Sequence, residues 1–235
     1  MDQKNKKPLA VFDIDGTIFR NSLLIELHWK MVRRGLIPRT ALAKLDAFYW
    51  AWVKRQGTYE EYLQEVIKNF VESLKKKTVR EVESAAKRVV EVQSDIVYRY
   101  TRDLIKKLAK THILVAISGS PSIVVEAFAQ KWSFDYFLAT EYEVVDKEFT
   151  GNIKVIHSEN KKKALADFVK THGFSLKGSI GVGDTESDIG IFELVEEALC
   201  FNPTAKLNEA AKERGWKVVV ERKDAIYQFQ HGRVL

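Results

Sequence analysis

The segment LAVFDIDGT (residues 9–17) constrains this chain more than any other. Four mostly apolar residues run straight into Asp13 and Asp15, then Gly16 and Thr17. An apolar run this short reads as a buried strand. The acids fall where the strand ends, and in open α/β sheets that carboxyl edge is where ligands bind. Two carboxylates two residues apart on extended chain project to the same side. Their crowding calls for an answering cation, proton or substrate. DG is also a frequent turn dipeptide, so the string acquires its meaning from the rest of the chain.

Beyond Asp15 strand signals vanish for about ninety residues. SLLIELHWKMVRR (22–34) reads as a helix stopping at Gly35. After Pro38, Leu42, Leu45, Phe48, Tyr49 and Trp52 recur at helical spacing, with a stop before Gly57. Thr58 with Glu61, and Thr78 with Glu81, form two capping-box patterns that open further helices. One more helix spans about 99–111. From residue 113 the pattern alternates. Strands are predicted at 113–118, 136–140, 179–184, 198–202 and 216–220, with a strand pair at 143–156. Helices are predicted at about 121–131 and 160–172, just after 184, and between the last two strands. Such alternation implies a parallel sheet covered on both faces. The expected fold is α/β: a doubly wound, mostly parallel, Rossmann-like sheet made by 1–19 and 99–235, with an all-helical insertion over 20–98.

Three further strings share the first one's placement. Ser118-Gly119-Ser120 directly follows ILVAI. A hydroxyl and free N–H groups at a strand-to-helix junction make a phosphate cradle, although Ser is also a plain helix cap. Lys161 opens a helix and can neutralise a phosphoryl group as a point charge. Its neighbours Lys162 and Lys163 point elsewhere and are read as surface. In GVGDTESD (181–188), Asp184 follows an apolar strand as Asp13 does, and Asp188 lies four residues on. Carboxylates at several strand ends suit Mg²⁺, a hard cation that takes oxygen ligands.

Together these strings resemble the haloacid dehalogenase-like superfamily. DIDGT matches its nucleophile loop, SGS its phosphate-binding loop and GDTESD its acidic metal loop. Lys161 precedes Asp184 by 23 residues, as in the phosphoserine phosphatase-like branch, and the helical insertion looks like that branch's cap. The resemblance implies an Mg²⁺-dependent phosphatase. Asp13 would attack phosphorus to form an aspartyl-phosphate. Asp15 would act as general acid and then base, starting protonated. The Asp13 carboxylate, the Asp15 carbonyl and Asp184 would hold the metal, with Asp188 steadying that shell. Ser118, the Gly119 N–H and Lys161 would hold the phosphoryl oxygens. Thr17, grouped with the substrate-binding residues, would anchor the loop.

The substrate implied is a small organic phosphomonoester, but the chain departs from the phosphoserine pattern. Where that branch has a Glu nine residues after the nucleophile, this sequence has Ser22, and the phosphate loop reads SGSP. The same intermediate serves a phosphotransferase, and the same fold serves a non-catalytic phosphate-binding protein; both are alternatives. The net charge of +6 is dispersed over short lysine runs and carries no nucleic-acid signature, so no nucleic-acid partner is expected. No apolar run is long enough to span a membrane. One cysteine, Cys200, fits a buried structural thiol and a cytoplasmic setting. No signal of oligomeric state is present.

Overall fold

The computed structural model describes residues 7–230 and 233–234; the basic start, residues 1–6, lies outside them. β1 (Leu9–Phe12) is followed by α1 (Leu23–Arg33), α2 (Ala43–Val53), α3 (Tyr59–Leu74), α4 (Val79–Gln93) and α5 (Arg99–Leu108). Next come β2 (Ile113–Pro121), α6 (Ser122–Lys131), β3 (Tyr136–Val145), β4 (Glu148–Val155) and α7 (Lys161–His172). The last stretch holds β5 (Ile180–Gly183), α8 (Ile189–Phe192), β6 (Glu197–Phe201), α9 (Ala205–Arg214), β7 (Lys217–Arg222), β8 (Ala225–Gln230) and β9 (Arg233–Val234). The sheet runs β4-β3-β2-β1-β5-β6-β7-β8-β9. Strands β3, β2, β1, β5, β6 and β7 are parallel, and β4, β8 and β9 pair antiparallel at the edges. This is the doubly wound, mostly parallel α/β fold expected, with the strand order reversing at β1.

The physical basis of the central strands is their two-sided burial. Ala10 and Phe12 of β1 face one apolar cluster, while Leu9 and Val11 face another. Leu114 and Ala116 of β2 join the first; Ile113, Val115 and Ile117 join the second. A strand covered on both sides has no polar face, hence the unbroken apolar runs.

Both capping boxes form. Thr58 and Thr78 accept from the N–H groups of Glu61 and Glu81, whose carboxylates return to the cap N–H groups. The helices of 20–98 do not rest on a core of their own. Leu27, Met31, Phe70 and Val89 lie in one cluster with Phe12, Phe19 and Phe128. The segment between α3 and α4 is tied to the β3–β4 hairpin: Lys76 N–H donates to the Phe149 carbonyl and Val79 N–H to that of Lys147, each at 2.9 Å. In α2 only Leu45 is buried, and Phe48, Tyr49 and Trp50 face solvent.

Three details differ from the sequence reading. The first strand, expected over 9–15, stops at Phe12, because Asp13 leaves the ladder after one last bond from its N–H to the Val182 carbonyl, at 2.9 Å. β3 runs unbroken through 145 and is itself the first arm of the hairpin expected at 143–156. Residues 225–230 add a strand that the reading omitted, held by its antiparallel pairing to β7.

Candidate active site

Neighbouring β2, β1 and β5 deliver their C-terminal ends to one edge of the sheet. Ser118–Ser120 end β2, Asp13 follows β1, and Asp184 follows β5. Lys161, the first residue of α7, reaches into this edge. Its ammonium donates to Asp13 Oδ1 and to Asp188 Oδ1, each at 2.6 Å. All three side chains are buried. Carboxylate oxygens of Asp13, Asp184 and Asp188 lie within 4.8 Å of one another.

Each acid is held from behind. Asp188 Oδ2 accepts the N–H groups of Asp184 and Thr185, both at 3.0 Å, which locks the turn after β5. A Cβ on Gly183 would sit 2.3 Å from the Asp188 Cγ, so only glycine leaves room for that carboxylate. Thr17 is fully buried and its hydroxyl donates to Asp184 Oδ1 at 3.0 Å, so the structure sets Thr17 on a carboxylate.

Gly16 lies at φ +81°, and a Cβ there would fall 2.3 Å from Asp184 Oδ2. Gly16→Ala therefore combines a left-handed backbone cost with a clash against a packed carboxylate. We expect a loss of about 2 kcal/mol or more in urea unfolding. Turnover should fall with it, because Asp184 must move.

Asp15 is engaged differently from the expectation. Its Oδ1 accepts the Leu23 N–H at 2.6 Å, and its Oδ2 accepts the hydroxyls of Ser118 and Ser120, each at 2.8 Å. The sequence points the Ser118 hydroxyl at phosphoryl oxygens; here it meets Asp15, since a buried carboxyl group takes the donors in reach. Ser120 was not assigned a role in the sequence, yet it also accepts the Leu24 N–H at 2.9 Å. Its signal was present: residues 118 and 120 share a side of an extended chain. The Leu23 N–H carried no signal, because backbone donors are invisible in residue types. Gly119 lies between the two serines, and its carbonyl accepts the Thr140 hydroxyl at 2.7 Å.

The electrostatics follow from burial. Asp13 is pushed up to about 7, chiefly by burial, with Asp188 and Asp15 adding to the rise and Lys161 opposing it. Asp184 is raised well above the usual carboxylate range by burial and by Asp13 and Asp188. Burial also raises Asp15, against the donors Leu23, Ser120 and Ser118. Burial would lower Lys161, but Asp13 and Asp188 outweigh it and keep the ammonium protonated. One buried ammonium thus faces four carboxylates. Asp13 would need a second cation to be fully ionised near neutral pH. An all-oxygen donor set around an excess of negative charge fits a hard divalent ion such as Mg²⁺.

The neighbouring lysines stay outside. Lys162 pairs with Glu193 at 2.9 Å and Lys163 with Asp167 at 2.5 Å, on the surface. Cys200 is buried and its thiol is pushed up to about 12, mainly by burial, consistent with an inert packing role.

The haloacid dehalogenase-like hydrolase family model matches residues 10–193, a span that holds Asp13, Asp15, Thr17, Ser118, Lys161, Asp184 and Asp188. The chain belongs to that family. Phosphoserine phosphatase SerB1 of Mycobacterium tuberculosis is 26% identical over 218 residues, covering 89% of this chain and 69% of that protein. Histidinol-phosphatase of Neisseria meningitidis is 21% identical over 225 residues, covering 91% and 98%. Among solved structures, a protein of unknown function from Bordetella pertussis matches with a TM-score of 0.73 at 21% identity, over 90% of this chain and 97% of that one. A phospho-aspartyl intermediate analogue of phosphoserine phosphatase matches at 0.62 and 23% identity, over 93% and 95%. These structural likenesses carry the fold of this hydrolase. Among its described residues, no helix is long and apolar enough to cross a membrane.

Proposed function

We propose that this hydrolase is an Mg²⁺-dependent phosphatase that cleaves a small organic phosphomonoester through an aspartyl-phosphate on Asp13, beneath a cap formed by residues 20–98. The observation that carries the reading is the Lys161 ammonium held between Asp13 and Asp188, with Asp184 beside them. Asp13, Asp184 and the Asp15 carbonyl would hold the ion, with Asp188 behind them. When bound, Mg²⁺ supplies charge neutralisation for phosphoryl oxygens and favours the ionised form of Asp13.

The side chains then divide the work. Asp13 attacks phosphorus as the leaving alcohol departs. Lys161 positions Asp13 and neutralises phosphoryl charge. A carboxylate is a weak nucleophile, so this positioning accounts for much of the rate. Asp15 donates a proton to the alcohol oxygen, then takes one from the water that cleaves the aspartyl-phosphate. The Ser118 contact suggests how Asp15 acquires its first proton. Drawing the Ser118 hydroxyl onto a phosphoryl oxygen removes a donor that favours ionised Asp15. The phosphate's own charge raises Asp15 further.

Ser120 tests this coupling. Ser120→Ala removes another donor to ionised Asp15, so its pKa should rise. Asp15 must be protonated to act as acid, so the alkaline limb of the kcat profile should move to higher pH. An unmoved limb would detach Asp15 from the acid role.

The phosphoserine pattern remains unmatched. Ser22 is buried at the start of α1, and both oxygens of Glu26, one turn on, already accept from Asn21 and Gln93, each at 2.5 Å. The decisive experiment screens phosphorylated metabolites against purified protein. We expect hydrolysis that EDTA abolishes and Mg²⁺ restores. Hydrolysis untouched by EDTA would rule out the metal, and a phosphorylated product from added alcohol would make the protein a phosphotransferase.

A further inference from the structure

We propose that the groove between α1 and α4 binds a small polyphosphorylated anion, at a site separate from the catalytic centre. The groove is a cavity of about 790 Å³. Its walls carry Lys30 and Arg33 from α1, Arg34 just past its end, and Arg80, Lys87 and Arg88 from α4, against two acids, Glu83 and Glu91. Arg88 is paired with Glu91 at 3.0 Å and Arg34 donates to Ser84 at 2.8 Å. Lys30, Arg33, Arg80 and Lys87 have no ion-pair partner among the described residues. Four unanswered cations therefore share one concavity.

In sequence the two basic groups are some fifty residues apart and look like ordinary solvated charge. Packing of the two helices through Met31, Val82, Ala86 and Val89 sets them side by side. On α4, positions 80, 84, 87, 88 and 91 form one helical stripe. From Arg80 to Arg88 the rise is about 12 Å. A single orthophosphate meets one end of such a row, whereas linked phosphates meet several cations at once. The volume falls in the range of small-ligand sites, roughly 300–1,000 Å³, but a charged lining excludes an apolar occupant. The cations line the walls of a hollow, which a flat bilayer does not enter.

Isothermal titration of the full chain with inorganic tripolyphosphate tests the proposal. Binding should be saturable, weaken steeply with added salt, and exceed that of orthophosphate. Arg33→Gln with Arg80→Gln should weaken it at least about tenfold. Lys30→Gln with Lys87→Gln provides a second, independent pair. Arg33, Arg80 and Lys87 are exposed, Lys30 is half-buried, and none is in an ion pair among the described residues, so the melting temperature should hold. Affinity unchanged in both double variants places the anion elsewhere and overturns the proposal. Affinity that climbs with the length of a single-stranded oligonucleotide, past that of tripolyphosphate, would assign the groove to a nucleic-acid strand and overturn the small-ligand assignment. The readout is binding, so its failure is distinct from failure of the phosphatase reading.

Discussion

Asp13→Asn is expected to lower turnover by about 10⁴-fold or more while the fold persists. The amide keeps the size of the carboxyl group and its oxygen still accepts from Lys161. What disappears is the anionic oxygen that attacks phosphorus. The same substitution should change stability with pH in a direction opposite to its effect on rate. Burial holds Asp13 at about 7, above its ordinary value of 3.8. A carboxyl group raised on folding favours the folded state at low pH. That contribution is complete below about 4 and is lost as pH rises through about 7. In EDTA the unsubstituted protein should therefore melt at a lower temperature at pH 8 than at pH 5. Asp13→Asn should flatten that dependence and melt higher at pH 8. Near-normal turnover by a folded Asp13→Asn protein would end the nucleophile assignment.

Lys161→Met carries the second large effect, on stability as well as activity. The ammonium is the shared partner of Asp13 and Asp188, and each bond is 2.6 Å long inside the protein. Removing one member of a buried ion pair typically costs about 3–5 kcal/mol, because the remaining charges lose their partner without regaining water. Here two carboxylates lose it together. Without Lys161, which holds it down, Asp13 should bind a proton more readily, so the deficit in urea unfolding should be largest at high pH and shrink on acidification. Turnover should be lost at every pH, since phosphoryl charge also goes unanswered. A Lys161→Met protein as stable as the parent at pH 8 would show that the observed triad is not what holds this site together.

The helices and strands were legible where a local rule decides them. Thr58 and Thr78 announced their helices because a capping box is made by residues three apart. β1, β2 and β5 announced themselves through short apolar runs ending in polar residues. The omitted β8 is an antiparallel strand next to the sheet's edge, half-exposed over 225–229 and defined by its pairing to β7 more than by its own pattern. The hydrogen bonds that Asp15 accepts from Ser118, Ser120 and Leu23 span 103, 105 and 8 residues, which no local pattern encodes.

Chemistry at strand ends is thus a property of the chain by itself: acids, a hydroxyl loop and a lysine occur at spacings that only an α/β sheet turns into neighbours. Tertiary structure alone decided how those groups share charge. Burial depends on what packs around a carboxylate, and burial is what raises Asp13 and Asp184 and makes Lys161 their necessary counter-ion. The same holds for the α1–α4 groove, where charges scattered along the sequence acquire one field only after two helices pack.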